Sequence, residues 1–136
     1  MAKESVRVIE YQEKEIARVI YHHHIDNLEF FTNDQVCLQT GIHNKPAGHK
    51  VRPHAHRFDP VVISRAEEVF YIIRGQVRVD LYDQNTGVKI GKVMLYTGDT
   101  MITYGHGHGL EFVKPTLLFE VKQGPFQGTE KSKIFL

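Results

Sequence analysis

Hydrophobic and polar residues alternate along much of this chain in short runs, which is the pattern of strands with one buried face. The clearest run is Gln76 to Tyr82, in which valine or leucine occupies every second position. Runs rich in β-branched and aromatic residues recur at short intervals, and they predict strands over residues 6–9, 16–21, 28–31, 35–42, 50–56, 69–73, 76–82, 88–96, 100–103, 110–113 and 117–122. Residues 16–21 also fit the spacing of one face of a short helix, so both interpretations stay open there.

Glycine, asparagine and aspartate separate these runs, most clearly in the hairpin loop predicted at Asp83–Gly87. Many short strands with such turns indicate an all-β sandwich or barrel. With 136 residues the chain is predicted to form one domain, residues 1–136, that is large enough to bury its own core. Its N-terminal strands, within residues 1–31, and its C-terminal arm, residues 125–136, are expected to pack on the barrel or on a partner subunit.

The charge of the chain is nearly balanced, with 17 basic and 16 acidic side chains. This balance gives no indication of nucleic acid or of a membrane surface as a partner. The longest apolar run has about five residues, against the ~20 that a membrane span needs, and we expect no signal peptide at the N-terminus. The single cysteine, Cys37, leaves no pair for an internal disulfide. By default, a cytoplasmic protein is expected.

Two histidines, His54 and His56, stand two positions apart in the predicted strand over residues 50–56. Pro53 argues against a helix here and favours extended backbone just before His54. Side chains two apart in a strand lie on one face of it, so both imidazoles should face the same way. Arg52 has the same phase, and its guanidinium would suit a carboxylate, a phosphate or a sugar acid, although a salt bridge at the barrel rim is the equal alternative.

A carboxylate opens the next predicted strand, and two residues compete for the position. Glu68 shares a face with Phe70 and Ile72, and an apolar face belongs in the barrel interior. Glu67 should then point out into solvent. If the two strands pair, Glu68 can reach the pair of imidazoles.

A third imidazole comes from the glycine-rich stretch Tyr104–Gly109. His108 leads directly into Leu110 on the same strand face, so it is favoured as the inward-facing residue over His106. His106 is then a contact of the substrate or of the metal ligands, and Tyr104 lines the pocket as a proton donor. Three imidazoles and one carboxylate, from His54, His56, Glu68 and His108, suit one divalent transition metal such as Fe, Mn, Ni, Co or Zn.

The spacing of these residues resembles the first motif of the cupins. Gly48 is followed by five residues and then by His54 and His56, and Glu68 is followed by six residues and then by Gly75. The family usually has three or four residues between the second histidine and the glutamate, whereas this chain has a longer insert, which we interpret as a loop over the barrel mouth. The resemblance implies a single-domain cupin fold, a double-stranded β-helix that forms a jelly-roll-like barrel around a metal.

The second cupin motif is matched less well. Gly98–Asp99 fits its start, but the proline is absent and the histidine falls one residue early, at His108. Over most of its length the chain also resembles small bacterial single-domain cupins that are often encoded near surface-polysaccharide or nucleotide-sugar genes. Cupin outer strands tend to pair between subunits, so the resemblance implies a homodimer, for which the N-terminal strands are apolar enough.

Two functions of different class follow. The first is a metal-dependent enzyme acting on a small polar or acidic molecule, such as a sugar derivative, by isomerisation, epimerisation or oxygenation. The second is a non-catalytic, metal-supported module that binds a sugar or a sugar nucleotide. Titratable groups beside an open metal site favour the enzyme, with Tyr104 and His106 as the catalytic candidates and Arg52 as the substrate-binding candidate.

Overall fold

The computed structural model describes residues 4–136, and the chain separates into two compact units. The larger unit is made of the residues up to His22 together with Arg65–Leu136, and the smaller unit is His23–Ser64. Each unit is described by itself below.

Strands account for most of the regular structure. In chain order the described residues form β1 (Val6–Tyr11), β2 (Lys14–Ile20), β3 (Leu28–Phe30), β4 (Gly41–His43), β5 (Glu67–Arg74), β6 (Gln76–Tyr82), β7 (Lys89–Tyr96), β8 (Thr100–Tyr104), β9 (Gly107–Phe112), β10 (Leu117–Lys122) and one short helix, α1 (Thr129–Ser132). The prediction of an all-β chain is confirmed. The helical alternative at residues 16–21 is excluded, because Lys14–Ile20 forms a strand that pairs on both sides. No helix in residues 4–136 is long and apolar enough to cross a membrane.

The larger unit contains two antiparallel sheets. One has the strand order β1-β2-β8-β5-β10 and the other has the order β7-β6-β9. A single hydrophobic cluster joins them, with Phe70 and Met101 from the five-stranded sheet against Val77, Val79 and Leu81 from β6. The inward valines and leucine of β6 are the alternating positions of the sequence, so burial of that face explains the strand.

The turn between β7 and β8 is held by a buried carboxylate. Asp99 accepts the backbone N–H of Tyr96 at 2.8 Å through Oδ2 and that of His22 at 2.8 Å through Oδ1. Gly98, with φ +88°, lies so close to the His22 ring that a Cβ would collide with it. The Gly98–Asp99 pair of the sequence motif therefore ties the β7–β8 turn to the end of β2.

The smaller unit has little regular structure. Its two short strands, β3 and β4, pair with each other, and Ile25 and Phe31 are its buried apolar residues. The strand predicted over residues 35–42 is wrong except at its last two residues, and the strand predicted over residues 50–56 is wrong. All of residues 50–56 are exposed. Their charged and imidazole side chains share one predicted face, and the other face offers only Val51, Pro53 and Ala55, which are exposed. Pro53 also has no N–H for a ladder, so nothing stabilises a strand there.

Candidate functional site

Glu68 and His108 lie close together in the larger unit, although they come from different sheets. Glu68 on β5 is opposite Thr103 of β8, and His108 on β9 is opposite Leu81 of β6. The two inner faces bring Glu68 Oε2 within 3.1 Å of His108 Nε2. The Phe70 ring meets the imidazole edge to face, with centroids 5.3 Å apart, and this contact limits the orientation of His108.

The pair borders a cavity of about 490 Å³. Other residues that line it are Tyr82, Thr103, His106, the glycines around His108, and the end of the chain from Ser132 to Leu136. A second, smaller cavity of about 120 Å³ also borders Glu68 and is lined by Lys122 and Lys133. Glu68 thus stands where two cavities meet.

The surroundings of Glu68 favour its ionised form. The His108 imidazole, with Nε2 3.1 Å from the carboxylate, holds the pKa of the Glu68 carboxyl below its ordinary value, although burial opposes this shift. The positive charges of Lys122 and Lys133 act in the same direction as His108. Glu68 is therefore a half-buried anion with two cationic side chains, Lys122 and Lys133, near it.

The prediction that Glu67 points into solvent is wrong. Its side chain is only 2% exposed, and its carboxylate lies 3.7 Å from the Arg65 guanidinium. Its backbone N–H donates to Gln123 Oε1 at 2.8 Å. Alternation along β5 predicts a solvent-exposed side chain at position 67 only if one face of the sheet is open to water. The neighbouring strand β8 is buried at all five positions, so both faces of the sheet are covered here.

Tyr104 lies with Glu67 rather than with Glu68. It is opposite Glu67 in the β5–β8 register, and the preceding residue, Thr103, is the one that lines the cavity. The Arg65 guanidinium carbon is 5.0 Å from the centre of the Tyr104 ring. Tyr104 does not belong to the residues lining the cavity of Glu68 and His108, and its part there as a proton donor stays a prediction.

Burial dominates the chemistry of Tyr104. The side chain is 2% exposed, and its hydroxyl has no hydrogen-bond partner within residues 4–136. Burial, with the negative charge of Glu15 as the next cause, raises the pKa of Tyr104 to about 12. The phenol is therefore held in its neutral form.

His106 does line the cavity of Glu68 and His108. Its backbone has φ 58°, in the left-handed region, so the glycines beside it are not the only residues of this loop with unusual backbone. Its ring meets the Tyr11 ring edge to face at 5.6 Å, and the Gln84 N–H points at its Nδ1 from 3.4 Å. Tyr11 in turn donates its hydroxyl hydrogen to Asp83 at 2.9 Å. His106 is thus held by groups at the end of β6 and on β1.

His54 and His56 belong to the smaller unit. Their rings are 5.0 Å apart between centroids, and His54 Nδ1 is 2.8 Å from the carbonyl oxygen of Arg52. An Nδ1–H that donates to this carbonyl leaves Nε2 as the nitrogen with a free lone pair. Arg52 itself is exposed. Because residues 50–56 form no strand, the argument that placed these three side chains on one face no longer holds, and their roles stay predictions.

The predicted ligand set is therefore seen as two pairs, one in each unit. Within residues 4–136 no three His, Cys, Asp or Glu side chains form a group that could hold a metal ion. The sequence interpretation did not single out Lys133 near Glu68 or the position of Leu136 on the cavity. The one available signal was the apolar end of the chain, Ile134–Leu136, after a polar stretch.

Comparison of the chain with protein-family models, with curated proteins and with solved structures found no match.

Proposed function

We propose that this chain is a small metal-binding cupin that acts on a small polar or acidic molecule, such as a sugar derivative of polysaccharide or nucleotide-sugar metabolism. The observation that carries the proposal is the contact of 3.1 Å between an ionised carboxylate, Glu68, and an imidazole, His108, at the border of a cavity. The cupin resemblance, with its double-stranded β-helix, agrees with two packed antiparallel sheets whose inner faces supply these two residues.

The chemistry of the donor pair fits a borderline divalent metal. A carboxylate oxygen and an imidazole nitrogen are ligands that Fe, Mn, Ni, Co and Zn accept, and the low pKa of Glu68 keeps it ready to bind without losing a proton. In the proposal His54 and His56 complete the set. The metal would act as a Lewis acid that polarises an oxygen atom of the bound small molecule.

The charges around the cavities indicate the kind of ligand. A volume of about 490 Å³ lies in the range of sites for small molecules. Lys122 and Lys133 lie close enough to Glu68 to lower its pKa, so they would also attract an anionic group of a ligand. His106 borders the same cavity and is the group proposed to donate or accept a proton there. Isomerisation, epimerisation and oxygenation are the reactions that the resemblance implies.

A second candidate, a binding module without catalysis, is favoured by the position of Tyr104. Of the two catalytic candidates, His106 lines the cavity, whereas Tyr104 lies beside Glu67 and Arg65. A cavity that keeps only one of the two catalytic candidates, His106, is sufficient for recognition of a sugar. Turnover of a candidate sugar nucleotide by the metal-loaded protein would decide for the enzyme.

Metal content tests the proposal directly. We expect untagged protein to hold about one divalent metal per chain, measured by inductively coupled plasma mass spectrometry. The double variants His54→Ala/His56→Ala and Glu68→Gln/His108→Ala should each lose it, because each removes half of the proposed ligands.

The matched control is His43→Ala/His49→Ala, which also removes two exposed imidazoles of the smaller unit. It should keep the metal, and circular dichroism should show that all three variants are folded. Unchanged metal content in the first two variants would refute the metal site.

A further inference from the structure

The end of the chain crosses the cavity of Glu68 and His108 with little to hold it. Residues 132–136 line this cavity, yet Ile134 and Phe135 are strongly exposed and Leu136 is 57% exposed. The preceding helix, α1, buries none of its residues and has no side-chain cap. The backbone bonds of this stretch, from Ser132 N–H to Gly128 and from Lys133 N–H to Thr129, stay within the helical turn.

The last side chain of this segment, Leu136, lies against a glycine of β9. A Cβ added at Gly107 would collide with a methyl group of Leu136, and its next neighbour, Tyr82 Cβ, is 3.5 Å away. Gly107 does not belong to the residues with positive φ, so its backbone is open to other amino acids. The missing side chain at 107 therefore makes room for Leu136 and serves no turn.

The place that Leu136 fills is next to the polar pair. Gly107 immediately precedes His108 on β9, and Tyr82, opposite Gly107 in the register, provides the wall. Lys133, in the same segment, has its positive charge close enough to Glu68 to lower the pKa of that carboxyl. The segment thus puts a branched apolar group beside the carboxylate–imidazole pair, as a ligand with such a group would.

We propose that Gly107 and Tyr82 form an apolar subsite beside Glu68 and His108, that Leu136 fills it, and that ligands bind by displacing residues 134–136. The ligand class is a small anion that carries a compact, branched apolar group. The part of this inference that assigns the polar group to Glu68 and His108 rests on the proposed function. The seating of Leu136 does not.

Limited proteolysis tests the seating without metal or ligand. Trypsin cleaves after Lys133, and mass spectrometry follows the loss of residues 134–136. Leu136→Ala removes the seated side chain and Gly107→Ala blocks its place, so both variants should be cleaved at least about threefold faster than the wild type. Phe135→Ala and Gly109→Ala are the matched controls, since Phe135 is strongly exposed and a Cβ at Gly109 meets Tyr82 at an ordinary 3.7 Å.

Two carboxylates test the subsite. Isovalerate carries the same branched group as a leucine side chain, and acetate carries the same head group without it. By nuclear magnetic resonance titration, Leu136→Ala should bind isovalerate about fivefold more tightly than the wild type does, with acetate unchanged, because the subsite is vacant. In Gly107→Ala the preference for isovalerate over acetate should disappear.

Each outcome decides one part. Cleavage of Leu136→Ala and Gly107→Ala at the wild-type rate would overturn the seating. Faster cleavage without a gain in isovalerate binding by Leu136→Ala would overturn the apolar subsite. Absence of metal from the wild type, with faster cleavage of both variants, would refute the proposed metal function and leave the seating of Leu136 in place.

Discussion

Two adjacent glutamates on β5 show how much the surroundings of a residue decide. Glu68 faces the other sheet and meets His108, whereas Glu67 is buried near Arg65 and Tyr104. Alternation along the strand separates the two side chains in either case. What surrounds each face is decided by the neighbouring strands, and the buried strand β8 gives Glu67 a protein environment in place of water.

Tyr104 gives a prediction at this scale. Because its pKa is raised to about 12 from an ordinary value of 10.0, the unfolded chain loses this proton before the folded chain does. The stabilising contribution is complete below pH 10.0 and is lost as the pH rises through about 12. Between about pH 8 and about pH 11.5 we expect the free energy of unfolding of the wild type to fall by about 2 kcal/mol more than that of Tyr104→Phe.

Urea unfolding of both proteins at about pH 8 and about pH 11.5 measures this difference. At the lower pH the two should agree within about 1 kcal/mol, because the hydroxyl has no hydrogen-bond partner in the described residues. A parallel loss of stability in both proteins at high pH would contradict the assignment to Tyr104.

At the scale of elements, a single glycine joins β5 to β6. Gly75 has φ +119°, a conformation that other residues avoid. A Cβ at Gly75 would lie 2.7 Å from the Thr116 Cα and 2.8 Å from the Pro115 carbonyl oxygen. The backbone N–H of Gly75 donates to Thr97 Oγ1 at 2.9 Å. The glycine that closes the first sequence motif thus carries the chain from one sheet to the other, through a gap with no space for a side chain.

We therefore expect Gly75→Ala to lower the free energy of unfolding by about 2 kcal/mol or more, since strain and a backbone collision add. Gly87→Ala is the matched control, because Gly87 also has positive φ, +73°, but has no atom within 4 Å of the added Cβ. It should cost only about 1 kcal/mol. Urea unfolding compares the two, and equal losses would show that the space around Gly75 has no effect.

At the scale of the whole molecule, the two edge strands of the five-stranded sheet, β1 and β10, are the candidate surfaces for pairing with a second subunit. β2 lies between β1 and β8, so of the N-terminal strands predicted to form a dimer only β1 has an edge open to a partner strand in the described structure. β10 is at the other edge, and its exposed face carries Leu117, Phe119 and Val121. Such edges invite pairing between subunits.

The dimer prediction can be tested at both edges. We expect a homodimer at micromolar concentration by light scattering, and Val8→Glu on β1 should raise its dissociation constant at least about tenfold through like charges at the paired edges. Phe119→Glu on β10 is the matched change at the other edge, and it should leave the dimer intact. Dissociation by Phe119→Glu alone would move the interface to β10, and a wild-type monomer would refute the dimer.

Several features of this molecule follow from the sequence by itself. Alternation in residues 76–82 determines the strand β6 and its buried face, because period two is a local property of the backbone. The same rule puts Glu68 on the face of Phe70 and Ile72, which is the inner face in the structure. The histidine-and-glutamate spacing likewise raises the metal hypothesis without any coordinates.

Other features were decided by tertiary structure alone. Residues 50–56 look extended in the sequence, but a strand needs a partner ladder, and the described structure gives them none. The burial of Glu67 and Tyr104, the lysines near Glu68, and the seat of Leu136 at Gly107 all join residues that are distant along the chain or depend on both faces of a sheet. Local pattern determines which side chains share a face, whereas long-range packing determines what that face meets.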